Sequence, residues 1–405
     1  MFRREFSTAG RLTAVLCSVV VSWTAAPTSW AADPPSSNVE VRGQLQNARL
    51  AFSQNASPKV VFMGGSITEM DGYRPLVCQD LQRRFPKAEF EFINAGISST
   101  CSTTGAFRLQ RDVLAHDPDL LFVEFAVNDD QDAGHAAREC LRGMEGIVRH
   151  ARKHNPHMDI VMVHFVNPGM LATRQRGETP TSSGQHERVA EYYRISSVDV
   201  AGELADRIAA GTFSWQQYGG THPKPQGNRL AADLVAQLLD ASWQHPLPED
   251  AQAQPAILPE PLDTGSYFRG QFLTPGHAEF GRDWQLGKPD WDSLPGSKRQ
   301  RFLDEDFLHS TRPGATLRLE FTGSAIGAFV LAGPDAGQVE VSIDGGPFRT
   351  VELYHHYSRG LHYPRTVMFA TDLEPVPHEM TLRVGQEHAE ASEGHAVRIM
   401  QFTVN

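Results

Sequence analysis

Cysteine is scarce in this chain. There are four residues among 405, at positions 17, 78, 101 and 140. So few cannot build a disulfide framework. Basic charge is short as well. Lys and Arg number 37 against 48 Asp and Glu, for a formal net charge of −11. That argues against a nucleic-acid surface, which needs excess positive charge. No apolar run is long enough to span a bilayer comfortably. There is no internal repeat and no long low-complexity tract. Gly64-Gly65 lacks the lysine and the spacing of a phosphate-binding loop. What remains is an ordinary packed chain, 40% hydrophobic and 21% charged, with the length of two or three domains.

The first 31 residues read as a secretory leader. Arg3, Arg4 and Arg11 make a basic start, an apolar stretch covers 12–23, and Ser29-Trp30-Ala31 offers small residues at the two positions a signal peptidase reads. Arg3-Arg4-Glu5-Phe6 fits a twin-arginine export signal and fits equally an Arg pair in an ordinary leader. Removal would take the net charge to about −13. Ala14-Val15-Leu16-Cys17 is a poor lipoprotein box, so no lipid anchor is expected. The mature protein is expected outside the cytoplasm, periplasmic or extracellular. There its three remaining cysteines allow one disulfide. The expected pair is Cys101 with Cys140; three buried reduced thiols are the alternative.

From 58 to 243 strands and helices alternate. Nearly continuous apolar strands are expected at 59–63, 119–126 and 159–166, with a further strand at 89–94. Helices are expected from Pro75, over 104–115, 133–154, 182–193, 200–210 and 227–243. Apolar strands between amphipathic helices imply a parallel sheet covered on both faces. Ligands of such sheets bind beyond the carboxyl ends of the strands. Ser66, Gly96 and Asn128 each fall at such an end. Residues 244–264 are rich in Pro, Ala, Gln and acids and read as a linker. Beyond it, short alternating runs at 316–321, 325–331, 338–343, 349–353, 365–370, 379–384 and 397–404 are punctuated by Gly, Pro and Asp. That is the pattern of an all-β sandwich.

Ser66 follows Gly64-Gly65, where a sharp bend would expose its hydroxyl at the sheet edge. Alone it reads better as a turn or cap serine than as a nucleophile. A serine nucleophile needs a base and donors for the oxyanion. His222, in Tyr218-Gly219-Gly220-Thr221-His222-Pro223, is a candidate base. The following proline keeps it out of a helix. The Asn128 amide can donate to an oxyanion, or satisfy its own turn.

Taken together, Gly64-Gly65-Ser66-Ile67, Asn94-Ala95-Gly96, Ala126-Val127-Asn128-Asp129 and Thr221-His222-Pro223 resemble the four blocks of the SGNH hydrolases, the GDSL-like esterases. The resemblance implies a flavodoxin-like α/β/α sandwich and ester hydrolysis through an acyl-enzyme. It implies Ser66 as nucleophile, His222 as base, and the Ser66 N–H, the Gly96 N–H and the Asn128 amide as oxyanion donors. The chain departs from the family at Gly65, where an Asp is usual, at Ala126, where a Gly is usual, and at Gly219, where the family has the Asp that orients the imidazole. Either His222 works as a dyad with its tautomer fixed by a backbone carbonyl, or a carboxylate reaches it from elsewhere. Glu124 is the foremost such acid, because it interrupts an apolar strand and should have a partner; an ion pair with an Arg such as Arg74 is its other reading. Glu69 and Asp71 are further candidates.

The β half resembles the galactose-binding-like jelly rolls that accompany some carbohydrate esterases, through Phe321-Thr322-Gly323-Ser324 and Val341-Ser342-Ile343-Asp344-Gly345. Tyr354, Tyr357 and Tyr363 could stack on sugars or serve the fold. His355, His356 and His362 cluster without a ligand spacing, so no metal and no cofactor is expected. The expected architecture is therefore a leader (1–31), an α/β domain (40–243), a linker (244–264) and an all-β jelly-roll-like domain (265–405). The expected function is a secreted serine esterase that deacetylates a polysaccharide or oligosaccharide. A lipid esterase or lysophospholipase, and a non-catalytic carbohydrate-binding protein on the same scaffold, are the alternatives.

Overall fold

Strand β2 (Lys59–Gly64) lies inside the sheet and shows how it is covered. Val60 and Phe62 enter one hydrophobic cluster and Val61 and Met63 another, one on each face, and all four are fully buried. The computed structural model describes residues 36–405, so the expected leader with its Arg pair and Cys17 lies outside the described residues. Five more strands join β2: β1 (Val39–Glu40), β3 (Glu91–Gly96), β4 (Leu120–Glu124), β5 (Asp159–His164) and β6 (Ser196–Asp199). The order is β1-β6-β5-β4-β2-β3. Strands β2 to β6 are parallel, in a doubly wound order. The sheet is not purely parallel, because β1 runs antiparallel on the edge of β6. Neither β1 nor β6 was expected. β1 is two residues long, and β6 spends two of its four positions on Ser196 and Ser197, whose hydroxyls accept from Arg42 at 3.0 Å.

Among the described residues ten α-helices accompany the strands: α1 (Gln46–Gln54), α2 (Ser66–Glu69), α3 (Tyr73–Arg84), α4 (Ser102–Asp112), α5 (Ala137–His154), α6 (Pro168–Gln175), α7 (Thr181–Tyr192), α8 (Val200–Ala209), α9 (Trp215–Tyr218) and α10 (Pro225–Ser242). Helices α1, α3, α6, α8 and α10 pack on the Phe62 face, and α4, α5 and α7 on the Met63 face. Local chemistry sets several starts. Asn167 and Asp199 accept backbone N–H groups at the heads of α6 and α8, and Pro168 and Pro225 occupy first turns. Pro75 is not the first residue of its helix; α3 begins at Tyr73. Helix α5 begins at Ala137 instead of 133, because Asn128–Asp132 forms a π turn ahead of it.

The second half is two antiparallel sheets. One has the order Arg349–Glu352, Gln338–Ile343, Val376–Val384, Thr316–Gly323, Glu279–Phe280. The other runs Tyr363–Ala370, Ile326–Ala332, Val397–Val404, Phe307–Ser310, Gln285–Gly287, with Gln271–Leu273 also on Val397–Val404. Thr316–Gly323 alternates strictly between exposed and buried, whereas Ile326–Ala332 is buried throughout. The second pattern arises because Phe329 and Leu331 join a cluster with Ile97 of the α/β half.

The linker carries no helix or strand, but it is tied down. Arg149 donates to the Pro259 carbonyl, Arg152 to that of Ile257 at 3.1 Å, and Ala256 N to that of Pro156 at 2.7 Å. At its end the buried Glu145 carboxylate accepts from Leu262 N, Asp263 N, Ser266 Oγ and Tyr193 Oη. Arg142, almost fully buried, pairs with Asp263 and with Asp372 of the β half. The described residues accordingly fall in one compact unit. The expected Cys101–Cys140 bond is not formed. Both are buried free thiols against His135, and Cys78 is a partly buried one. Glu145→Ala should lower stability by about 3–5 kcal/mol, since it strands several buried donors at once. The checks are the urea midpoint and faster proteolysis within 244–264.

Candidate active site

The carboxyl ends of β2, β3 and β4 deliver three short segments to one edge of the sheet. After β2 the chain turns through Gly65 straight into α2, and Ser66 is its first residue. The Ser66 N–H heads a one-turn helix that no side chain caps. Ser66 keeps partial exposure and His222 is exposed. His222 Nε2 lies 2.8 Å from Ser66 Oγ, across 156 residues of sequence. The loop before α10 brings the imidazole there.

Gly65 is glycine for a reason of space. A Cβ at that position would lie 2.1 Å from Asn128 Oδ1, so the Asn128 side chain fills the place an Asp at 65 would need. Asn128 is buried. Its Nδ2 donates to Asp132 Oδ2 at 2.6 Å, which holds one amide hydrogen and leaves the other, while Oδ1 has no partner. Burial pushes the Asp132 carboxyl up. The bonded Asn128 and Gln131 amides oppose this, as do the charges of His222 and Arg299. The Gly96 N–H, the third expected oxyanion donor, is occupied: it donates to Asn94 Oδ1 at 3.0 Å. The exposed Asn94 amide also donates to Glu69 O at 2.9 Å. Gly96 itself is pressed against α2, where a Cβ would meet Glu69 N at 2.4 Å.

Among the described residues no carboxylate pairs with His222. The histidine–carboxylate pairs are His135 and His186 with Asp129, His154 with Asp117, His164 with Glu187 and His378 with Asp344. Glu124 is fully buried beneath the site, and its Oε2 accepts from Thr68 Oγ1 at 3.1 Å. Burial pushes its carboxyl up to about 8, against the pull of the Thr68 hydroxyl and the Gly65 N–H. It thus supports the turn that carries Ser66 and does not touch the imidazole. Nor does it pair with Arg74, which bonds Asp71 and the Thr68 carbonyl. Glu69 is taken by Ser98 and Arg301. Gly219 could not carry an acid in this loop. Its φ is +109°, a region L side chains avoid, and a Cβ would meet Lys224 N at 2.5 Å.

The β half reaches the site directly, which sequence spacing did not show. Arg299 donates to Ser98 O at 3.0 Å and Ser99 Oγ at 2.8 Å, and Arg301 donates to Gly96 O at 3.2 Å. His355 Nε2 lies 2.8 Å from the Asp132 carbonyl. The His355 ring stacks on buried Tyr363 at 4.3 Å, leaving His356 and Tyr357 outermost, their rings 4.0 Å apart and both exposed. Tyr354 is half-buried, and His362 is buried with Nε2 on the Pro295 carbonyl. The three histidines do not converge on one point.

Residues 62–230 match the GDSL-like Lipase/Acylhydrolase family. No curated protein matches the chain. Among solved structures, a two-domain esterase active on acetylated mannans, co-crystallised with mannopentaose, is similar at TM-score 0.72 and 19% identity. The alignment covers 91% of this chain and 96% of that one. A second structure of a two-domain esterase active on acetylated mannans has a TM-score of 0.70 and 19% identity, with 91% and 97% covered. At that identity the likeness concerns the fold, and it spans both halves. No helix among the described residues is long and apolar enough to cross a membrane.

Two outcomes follow from the geometry. Gly219→Asp should not supply an acid: it should cost about 2 kcal/mol or more through strain and overlap, visible as a lower Tm with no gain in kcat. Glu124 should act on stability through pH. A carboxyl whose folded value, about 8, lies above its ordinary 4.5 takes up a proton on folding. Stability is therefore lost as pH rises through that window. Glu124→Gln should remove the loss while keeping the bond to Thr68, so chemical unfolding at pH 5 and pH 8 should differ for the native protein and much less for the variant.

Proposed function

We propose that the protein is an exported serine esterase that removes acetyl groups from a polysaccharide or oligosaccharide through an acyl-enzyme. The observation that carries this is the 2.8 Å contact between Ser66 Oγ and His222 Nε2 at the open edge of the sheet. In this reading neutral His222 accepts the Ser66 proton as Oγ attacks the acetyl carbonyl. The oxyanion is met by the uncapped Ser66 N–H and the second hydrogen of the Asn128 amide. The Gly96 N–H joins them once the exposed Asn94 side chain swings away. His222 then protonates the departing sugar oxygen, and water, deprotonated by the same imidazole, releases acetate. With no carboxylate on its ring, His222 works with Ser66 as a dyad, and Asp132 contributes charge at a distance. We read the α/β half as a flavodoxin-like sandwich over about 40–243 and the β half, 265–405, as jelly-roll-like.

A carbohydrate suits the surroundings better than an acyl chain. The groups gathered at this edge are polar: Glu69, Ser98, Asp132, Arg299 and Arg301. Near Asp132 stand the exposed rings of His356 and Tyr357, tilted 46° to one another, and either ring offers a face of the kind sugars stack on. The two-domain structures of like fold act on acetylated mannans, which makes acetylated mannan the first polymer to assay.

The test is acetate release from acetylated mannan and xylan, alongside 4-nitrophenyl acetate and 4-nitrophenyl palmitate. Ser66→Ala should lower kcat at least ~1,000-fold on every ester cleaved. Tyr357→Ala should raise KM on the polymer more than on the nitrophenyl ester. Equal rates for Ser66→Ala and the native protein would reject the nucleophile. Preference for the palmitate would favour the lipid-esterase reading. Glycan binding without hydrolysis would favour the binding-protein reading.

A further inference from the structure

A second cluster of reactive side chains makes no hydrogen bond to Ser66 or His222. It joins three segments. Cys101 precedes the first residue of α4, Asp129 follows Asn128 in the π turn, and His135 lies two residues before α5. Cys101 Sγ is 3.9 Å from His135 Nε2, and Asp129 Oδ1 is 3.6 Å from His135 Nδ1. One ligand atom from each residue lies within 4.8 Å of the other two. Cys101 and Asp129 are buried, and the His135 side chain keeps 14% exposure, a way in for a small ion. His135 Nδ1 is buried and has no hydrogen-bond partner.

We propose that Cys101, Asp129 and His135 form a binding site for one divalent transition-metal ion of the zinc type. Thiolate, imidazole and carboxylate are the ligand types such ions take, and the sulfur selects against magnesium and calcium. Ligands of tetrahedral zinc stand about 3.3–3.6 Å apart by their bond lengths; one imidazole nitrogen serves the ion, so from a set lying within 4.8 Å the trio must close by up to about 1.5 Å. The carboxylate is already oriented: Ser102 N at 2.8 Å and Ser102 Oγ at 2.6 Å donate to it, and His186 Nε2 lies 2.8 Å from Oδ2. Partners of this kind fix a ligand and raise metal affinity. These three hydrogen bonds leave room among the roughly four lone-pair sites of a carboxylate. The bound ion would tie the loop after β3 to the turn that carries Asn128. Spacings of 28 and 6 residues match no sequence motif for metal ligands, which is why the set emerges only in the fold.

The test is cobalt(II) titrated into the full-length, reduced, chelator-treated protein. The expected result is one cobalt per chain with a thiolate-to-cobalt charge-transfer band and a raised Tm. Cys101→Ser should lose the band and weaken binding at least ~100-fold, and Cys140→Ser should keep both. If Cys101→Ser does not fold, by circular dichroism, the native protein still decides. Absence of saturable one-to-one binding, or binding without a thiolate band, overturns the site, as does a band that survives in Cys101→Ser. The readout is independent of esterase activity, and Ser66→Ala should bind cobalt as the native protein does.

Discussion

The contact between Asn128 and the Gly65 backbone sets the geometry of the candidate site. With the amide seated where a Cβ at 65 would project, residue 65 must be glycine. Glu124, buried below, accepts the Thr68 hydroxyl at 3.1 Å. The turn presenting Ser66 is therefore clamped from the side and from beneath. One local choice, glycine at 65, is coupled to where β4 ends and how Asn128 lies. The same logic holds at Gly96, whose bare Cα lets α2 approach the end of β3. Backbone proximity is obtained by leaving side chains out.

The second half of the chain completes this edge. Arginines 299 and 301 grip carbonyls of the loop after β3, and His355 meets the carbonyl of Asp132, whose carboxylate holds the Asn128 amide. A charge network around Arg138 and Arg142 fastens the same half from the other side of α5. The β sandwich thereby restrains the groups placed next to Ser66 and is more than an appendage on a tether.

Much of this was legible in the residues, and the reasons differ by element. Strands at 59–64, 120–124 and 159–164 announce themselves because both faces are covered and nearly every position is apolar. Ser66, Gly96 and Asn128 stood out because each interrupts the pattern at a strand end. The edge strands β1 and β6 did not, since one is two residues long and the other pairs through serines. Asp132 was hidden in a π turn between the strand expected to end at 126 and the helix expected from 133. Glu124 was visible as an anomaly, but its partner was not, because Thr68 lies 56 positions earlier. The straps on 244–264 were invisible for the same reason: composition describes a linker's flexibility in isolation, and not the carboxylate that awaits it.

Arg142 and Glu145 also bear on the order in which the molecule can be made. Both sit on α5, buried in the finished protein, yet apart from the Tyr193 hydroxyl on Glu145 their partners are at Leu262, Asp263, Ser266 and Asp372. When the ribosome has finished the last helix of the α/β half, these charges still face water. The part of α5 that these two side chains occupy is at that moment polar and solvated. Burial of those charges therefore waits on the final 140 or so residues of the chain.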